Sequence, residues 1–327
     1  MTKPLGEFDL IARFFTRPPR RAVLGVGDDC ALLAAPPADE RLAISSDMLV
    51  EGRHFFADAD PEALGHKTLA VNLSDLAAIG AKPLAFTLAM ALPEADAGWL
   101  AGFSRGLLNL ADRYDIELIG GDTTRGPRNL CVTVLGTVPQ RAALLRSGAK
   151  PGDDLWVSGT VGDARLALGH RLGEWTLDAP EQTATMLRMD RPEPRIALSL
   201  ALRGVAHAAL DMSDGLLADL GHILRASGVG ATVEADACPA SAALRTQELP
   251  RRRLCQLAGG DDYELLFTAP QAARRAVEEA AEQAATPVTR IGRIDAEPGL
   301  RLIDALGRVL DNAYAGFDHF RPSSSPP

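Results

Sequence analysis

The stretch WLAGFSRGLLNLADRYDIELIGGD, residues Trp99 to Asp122, changes its period partway along. In its first part Trp99, Phe103, Leu107, Leu110 and Tyr114 recur at steps of three and four, which sets one apolar stripe along a helix. Ile116-Glu-Leu-Ile119 then reads as a short strand, and Gly120-Gly121-Asp122 ends it in a flexible, acidic turn. Further strands and helices lie on both sides of it. Strand-like runs lie at Leu42–Ile44, Leu84–Leu88, Leu130–Val138, Leu155–Val157, Ala231–Val233, Glu264–Thr268, Val288–Ile294 and Leu300–Ile303. Helical patterns cover Glu62–Ile79, Pro194–Leu202, Leu216–Ala226 and Gln271–Ala284. Strands and helices mix without an internal repeat, so the class is α/β or α+β.

A chain of 327 residues has room for two domains at about 100–200 residues each. Ser147-Gly-Ala-Lys-Pro-Gly152 carries turn chemistry ahead of a new strand, which places a joint between Pro139 and Gly152. The expected layout is a first domain over 1–140, a second over 141–320 and a disordered tail over 321–327, where Arg321-Pro-Ser-Ser-Ser-Pro-Pro327 has nothing apolar to bury. The net charge of −9, with no basic run beyond Arg251-Arg252-Arg253, excludes a nucleic-acid-binding surface. Cys30, Cys131, Cys238 and Cys255 are scattered without a Cys-x-x-Cys pair, so they read as thiols in a reducing compartment. No signal segment stands at the start, and the densest apolar run, Leu84–Leu92, is too short for a bilayer. The expectation is a cytoplasmic protein without a membrane partner.

The informative feature is where the acids fall. Gly25-Val-Gly27-Asp28-Asp29, Ser45-Ser46-Asp47, Gly120-Gly121-Asp122 and Asp211-Met-Ser213-Asp214-Gly215 each follow an apolar run, and Gly259-Gly260-Asp261-Asp262 precedes one. Asp75 shares a helix face with Asn72. Any one of these motifs alone is an ordinary turn former. Several together at strand ends, where α/β proteins place ligands, suit hard cations bridging carboxylates to phosphates. There is no Walker loop, no complete Gly-x-Gly-x-x-Gly, no Gly-x-Ser-x-Gly and no His-Glu-x-x-His. If ATP binds, metal ions must supply most of the charge neutralisation.

Taken in order, the motifs resemble those of the thiamine-monophosphate kinase family. They are Gly6-Glu-Phe8, Gly25-Val-Gly-Asp-Asp-Cys-Ala31, Ser46-Asp-Met-Leu-Val-Glu-Gly-Arg-His-Phe55, Ala70-Val-Asn-Leu-Ser-Asp-Leu-Ala-Ala78 and Gly120-Gly-Asp-Thr-Thr124. The second half continues with Arg146-Ser-Gly-Ala-Lys-Pro-Gly-Asp153, Asp211-Met-Ser-Asp-Gly-Leu216, Gly260-Asp-Asp-Tyr-Glu-Leu265 and Gly316-Phe-Asp-His-Phe320. The resemblance implies an aminoimidazole ribonucleotide synthetase-like fold. In it an α/β N-terminal domain binds ATP and magnesium and pairs with its twin in a homodimer, and an α+β C-terminal domain completes the site. It also implies phosphorylation of thiamine monophosphate by ATP. Several magnesium ions would be carried by Asp29, Ser46, Asp47, Asp75, Asp122, Asp211 and Asp214. Gly121, Asp122, Arg146 and Ser213 would hold ATP. His54, Asp261 and Phe317 would meet thiamine monophosphate.

Two positions depart from the family pattern. Asp261 stands where Glu is usual, and Phe317 stands where Tyr or Trp is usual. Both belong to the acceptor side. No side chain reads as a covalent catalyst, so catalysis would rest on positioning and cations. Two other readings stay open here: another ATP-dependent enzyme of the superfamily, such as a selenophosphate synthetase, or a magnesium–nucleotide binding protein without turnover.

Overall fold

The computed structural model describes residues 6–311 and 314. Phe317, the motif Gly316–Phe320 and the expected tail over 321–327 therefore lie outside the described residues. The chain divides into two compact units. One comprises residues 1–143 and 190–200, the other residues 144–189 and 201–327.

The first unit holds α1 (Glu7–Phe14), β1 (Ala22–Leu24), β2 (Leu32–Leu33), β3 (Glu40–Val50), α2 (Pro61–Ala78), β4 (Lys82–Leu92), α3 (Ala97–Arg113), β5 (Glu117–Arg125) and β6 (Asn129–Pro139). Its four-stranded sheet runs β3-β6-β4-β5, with only β4 and β5 parallel. α3 carries the stripe read from the sequence: Phe103, Leu107 and Leu110 are buried. Asp96 opens α3 by accepting the N–H groups of Gly98 and Trp99, as Asp60 opens α2 through Ala63. α2 lies between the sheet and α3 and is buried on nearly every side, which is why its sequence has no clean polar face.

Both helices pack on one face of this sheet. The opposite face is open along β3, while the β1–β2 pair packs on its β4–β5 side, where Ala22 and Leu33 meet Ala85 and Ile119. Along β3 the alternation sends Ala43, Ser45, Asp47 and Leu49 toward α2, and Leu42, Ile44, Ser46 and Met48 away from it. Leu42, Ile44 and Met48 are 44%, 64% and 50% exposed. Their register partners on β6 are Thr137, Leu135 and Cys131. The short β1–β2 pair is held against the sheet by Glu117. Its buried carboxylate accepts three main-chain N–H groups, from Arg20 at 2.6 Å, Arg21 at 2.8 Å and Ala22 at 3.2 Å.

Residues 190–200, placed in the second domain by the sequence, count with the first unit. Side chains of α2 and α3 hold them there. His66 Nε2 lies 2.9 Å from the Pro192 carbonyl, so the neutral ring must carry its proton on Nε2. The Tyr114 hydroxyl lies against Glu193 and the Pro194 carbonyl, and Arg113 pairs with Glu193 at 2.7 Å. Burial, with the nearby charges of Arg113 and Arg191, holds the His66 imidazole below its usual range. The unfolded chain then binds more protons near pH 6, so this contact loses stability as pH falls below the ordinary histidine value. His66→Gln keeps an amide donor for Pro192 and cannot titrate. Its melting temperature is expected to fall less than that of the wild type between about pH 7.5 and about pH 5.5; parallel profiles would remove His66 as the cause.

The second unit contains β7 (Asp153–Ser158), α4 (Asp163–Arg171), α5 (Ala179–Asp190), β8 (Ala208–Asp211), α7 (Leu216–Ser227), β9 (Gly230–Glu234), α8 (Ala242–Thr246), α9 (Leu249–Ala258), β10 (Leu265–Pro270), α10 (Arg274–Gln283), β11 (Val288–Asp295), β12 (Gly299–Ile303) and β13 (Val309–Leu310), while α6 (Ile196–Ala201), between α5 and β8, belongs to the first unit but for Ala201. α5 and α6 each cross a unit boundary by one or more residues. The seven-stranded sheet runs β13-β12-β9-β11-β7-β10-β8 and is antiparallel except at β9–β12. Leu210, Leu216, Leu220 and Ile223 bury β8 and α7 in one core with Val157, Leu257, Leu266 and Ile291. The loop between β8 and α7 is thus anchored on both sides.

Candidate functional site

In the first unit, β3 and α2 bring two of the expected site residues, Asp47 and Asp75, near each other. Ser45 donates its hydroxyl to Asp75 at 2.5 Å. One pleat along, the Asp47 N–H donates to Asn72 Oδ1 at 2.9 Å, and Asn72 in turn donates to the Thr68 carbonyl within α2. Asn72 and Asp75, three residues apart, thus face the same stretch of β3. Ser46 does not join them. Its hydroxyl sits on the uncovered face, 3.0 Å from both the Val132 carbonyl and the Thr133 hydroxyl. Ser45 is the serine that meets Asp75, and strand alternation is the signal that selects it.

Asp122 is also apart. The register Met48↔Cys131, Cys131↔Ala89 and Ala89↔Asp122 sets it in a row on the uncovered face. β3 and β5 are the two edges of the sheet, so three strand steps of ~4.8 Å put about 14 Å between Asp47 and Asp122. Gly121 precedes Asp122 at φ +153, and a Cβ there would stand 1.8 Å from the Leu88 carbonyl. Only glycine lets β5 lie so close to β4 at this point. Asp29 lies in the exposed turn between β1 and β2, where its N–H donates to Asp28 Oδ1 at 2.8 Å. His54 follows β3 in a tight loop, and its Nδ1 accepts the Val50 N–H at 3.0 Å. This bond fixes the neutral tautomer with the proton on Nε2.

In the second unit the expected acids of two separate motifs meet. Beyond the paired residues Asp211 and Leu265, the two chains stay stitched together. Met212 N–H donates to the Glu264 carbonyl at 2.8 Å, Tyr263 N–H to Met212 at 2.9 Å and Asp261 N–H to Ser213 at 2.9 Å. A Cβ on Gly260 would stand 2.3 Å from the Ser213 carbonyl, so the Gly-Gly-Asp-Asp motif needs glycine for this approach. The Asp211–Asp214 loop and Asp261 are therefore parts of one local structure.

That structure is strained and braced. Asp261 at φ +67 and Tyr263 at φ +52 are both left-handed, which non-glycine residues adopt at a cost of about 1–2 kcal/mol each. The residues between and after them hold the shape. Asp262 is buried and accepts the Gly162 N–H at 2.6 Å; burial raises its pKa well above the carboxylate range. Glu264, fully buried, takes Ser158 at 2.5 Å and Arg188 at 2.6 Å. Tyr263 donates its hydroxyl to Asp261 Oδ1 at 3.2 Å.

Asp219, unassigned by the sequence reading, supports the other loop from the first turn of α7. Its Oδ2 accepts the N–H groups of Asp214 and Gly215, each at 3.0 Å. Burial is the main reason its pKa rises to about 6, with the Asp214 charge adding to it and the N–H donors opposing it. An acid in the first turn of a helix that follows an Asp-Gly pair is a signal visible in sequence. Arg146 is exposed, and its carbonyl accepts from the Ser227 hydroxyl at 3.2 Å.

Residues 27–138 match the family AIR synthase related protein, N-terminal domain, and residues 150–305 match AIR synthase related protein, C-terminal domain. A thiamine-monophosphate kinase of Salmonella typhimurium is 48% identical over 324 residues, covering 96% of this chain and 98% of that protein. The crystal structure of thiamine-monophosphate kinase from Stenotrophomonas maltophilia K279a matches with a TM-score of 0.83 at 48% identity, over 90% of this chain and 94% of that one. A structure described as AaThiL complexed with AMPPCP and TMP matches with a TM-score of 0.75 at 30% identity, over 88% of this chain and 90% of that one. With both halves of the fold matched and nearly half of its residues shared from end to end, the chain belongs to the thiamine-monophosphate kinase family and has its aminoimidazole ribonucleotide synthetase-like fold, an α/β N-terminal domain followed by an α+β C-terminal domain.

Proposed function

We propose that the chain transfers the γ-phosphoryl group of ATP to thiamine monophosphate, giving thiamine diphosphate and ADP. The observation that carries this reading is the 48% identity to a thiamine-monophosphate kinase over 98% of that protein's length. A relative at 30% identity that holds AMPPCP and TMP supports the substrate pair.

The step is a direct in-line displacement. A phosphate oxygen of thiamine monophosphate, already ionised at neutral pH, attacks the γ-phosphorus as the bond to the β,γ-bridging oxygen breaks and ADP leaves. No general base is needed. Asp29, Asp47, Asp75, Asp122, Asp211 and Asp214 are the acids proposed to hold magnesium, with Ser46 among the oxygen donors read from the sequence. The chemistry of the set fits. All are hard oxygen donors, and magnesium takes one or two carboxylates with phosphates and water completing its shell. When bound, magnesium supplies charge neutralisation on the transferring group. The chain's own part is to position: Ser45 orients Asp75, Asn72 orients β3 at Asp47, and Asp219 fixes the loop that carries Asp214. Gly121, Asp122, Arg146 and Ser213 are proposed for ATP, and His54, Asp261 and Phe317 for thiamine monophosphate. The Nε2–H tautomer of His54 makes it a donor suited to an anionic acceptor.

The face of the first unit's sheet left open along β3 supports a homodimer, since monomeric proteins rarely leave a contiguous apolar face open to water. Four unpaired cysteines are in keeping with a cytoplasmic setting. Among the described residues no helix is long and apolar enough to cross a membrane.

The test is a coupled assay with purified protein, ATP and thiamine monophosphate, with and without magnesium. Magnesium-dependent formation of thiamine diphosphate and ADP in equal amounts is expected. Binding of nucleotide with no thiamine diphosphate would show the acceptor to be wrong. Asp261→Glu is a narrower check. It is expected to change KM for thiamine monophosphate about threefold to tenfold while leaving ATP affinity as it was, because the longer side chain must also adopt a left-handed backbone that Asp tolerates better. An unaltered acceptor KM would count against contact by that carboxylate.

A further inference from the structure

We propose that Arg225 and His222, on α7, contact the phosphates of the nucleotide beside Arg146. The proposal rests on the kinase reading and extends its nucleotide site to residues that no motif assigned.

α7 is tied to proposed site loops at both ends. At its start Asp219 holds the main chain of Asp214 and Gly215. At its end the Ser227 hydroxyl donates to the Arg146 carbonyl and accepts the N–H groups of Gly148 and Ala149, all at 3.2 Å. Ser227 is two residues beyond Arg225, so the Arg146 main chain is fastened to the helix turn that carries Arg225. Between the two anchors, Arg225 Nη2 donates to His222 Nδ1 at 3.1 Å. The imidazole proton is thereby left on Nε2. Partial burial, then the charges of Arg146 and Arg225, hold the His222 pKa below its usual value, against a smaller opposing effect of Asp214. His222 is thus a neutral donor at pH 7, within the fields of Arg146, Arg225 and Asp214.

Among the described residues neither Arg146 nor Arg225 makes an ion pair, whereas Arg188, Arg253 and Arg274 each meet a carboxylate within 2.7 Å. Like charges held near one another by main-chain anchors, next to a loop of acids suited to cations, match a ligand carrying several negative charges and its own metal ions. A polyphosphate is such a ligand, and the guanidinium fork suits its oxygens. The alternative is that Arg225 is a solvated surface residue, and the two readings differ in a measurable way.

The experiment is calorimetric titration of magnesium and AMPPCP into the full-length protein and its variants. Arg225→Gln is expected to raise Kd about tenfold or more, the loss typical of one charged hydrogen bond. Arg225→Lys should recover part of the affinity, because it keeps the charge without the fork. Arg275→Gln removes one positive charge from the exposed surface of α10 and should leave Kd as in the wild type. Equal Kd for Arg225→Gln and the wild type overturns the proposal, and so does an equal rise in Arg275→Gln, which would reveal only a net-charge effect. If the wild type binds AMPPCP but makes no thiamine diphosphate, the kinase reading fails while the Kd comparison still decides the role of Arg225. If the wild type binds no nucleotide, both fall.

Discussion

Asp75→Asn is expected to lower the rate of thiamine diphosphate formation by about 100- to 1,000-fold, the loss typical of one electrostatic contact to a developing charge. Asparagine has the same shape, and its Oδ1 can still accept the Ser45 hydroxyl that now lies 2.5 Å from Asp75. α2 remains packed through Leu69, Leu73 and Leu76, so the melting temperature without metal should stay close to that of the wild type. What is lost is a negative charge facing β3. Magnesium should therefore raise the melting temperature less in the variant, and the magnesium concentration giving half-maximal rate should rise. Ser45→Ala separates orientation from charge: it keeps the carboxylate and should cost only about tenfold. A variant with full turnover and an unshifted magnesium dependence would reduce Asp75 to a helix-side partner for Ser45, and the metal assignment of this half of the site would fail with it.

The fold class was readable because the apolar periods are long and clean. The α3 stripe from Trp99 to Tyr114 and the strand alternation of β6 each follow from burial on a single face. The short elements were not. β1, β2, α8 and β13 are too brief for a period to show. The return of residues 190–200 to the first unit depends on His66 and Tyr114, two side chains far away in sequence.

At the site, the acid-rich turns were visible because Asp and Gly at strand ends have a local signature. Their grouping was not, since it depends on register. Nothing in the motif Ser45-Ser46-Asp47 says which serine faces α2 until β3 is seen to turn Ala43, Ser45 and Asp47 the same way. The supporting roles of Asn72, Asp219 and Glu117 escaped for a related reason. Each acts through main-chain N–H groups, and such a bond leaves no mark on the partner's side chain. The left-handed backbone of Asp261 and Tyr263 is likewise a product of stitching to Met212 and Ser213 rather than of local sequence.

Ile44→Asp should convert the proposed homodimer to monomer and lower turnover at least a hundredfold. Ile44 is 64% exposed in the single chain, between Leu42 and Met48 on the sheet face that no helix covers. In a monomer the substitution would be harmless or mildly helpful, since it trades an exposed apolar group for a charge. In a dimer closed over that face it would bury an unpaired carboxylate, at on the order of 3 kcal/mol or more, which is at least a hundredfold in association. The loss of turnover follows from Asp122. Its row lies on the same uncovered face, about 14 Å by strand count from Asp47, so in one chain it stands apart from the β3–α2 acids. Packing a second copy against the face would bring Asp122 to an interface and give it a route into a shared site. Analytical ultracentrifugation and the coupled assay on the same samples test both parts. A monomeric but fully active variant would break the link between Asp122 and the interface. A wild-type protein that sediments as a monomer at micromolar concentration would leave the exposed face of β3 without the partner argued for it.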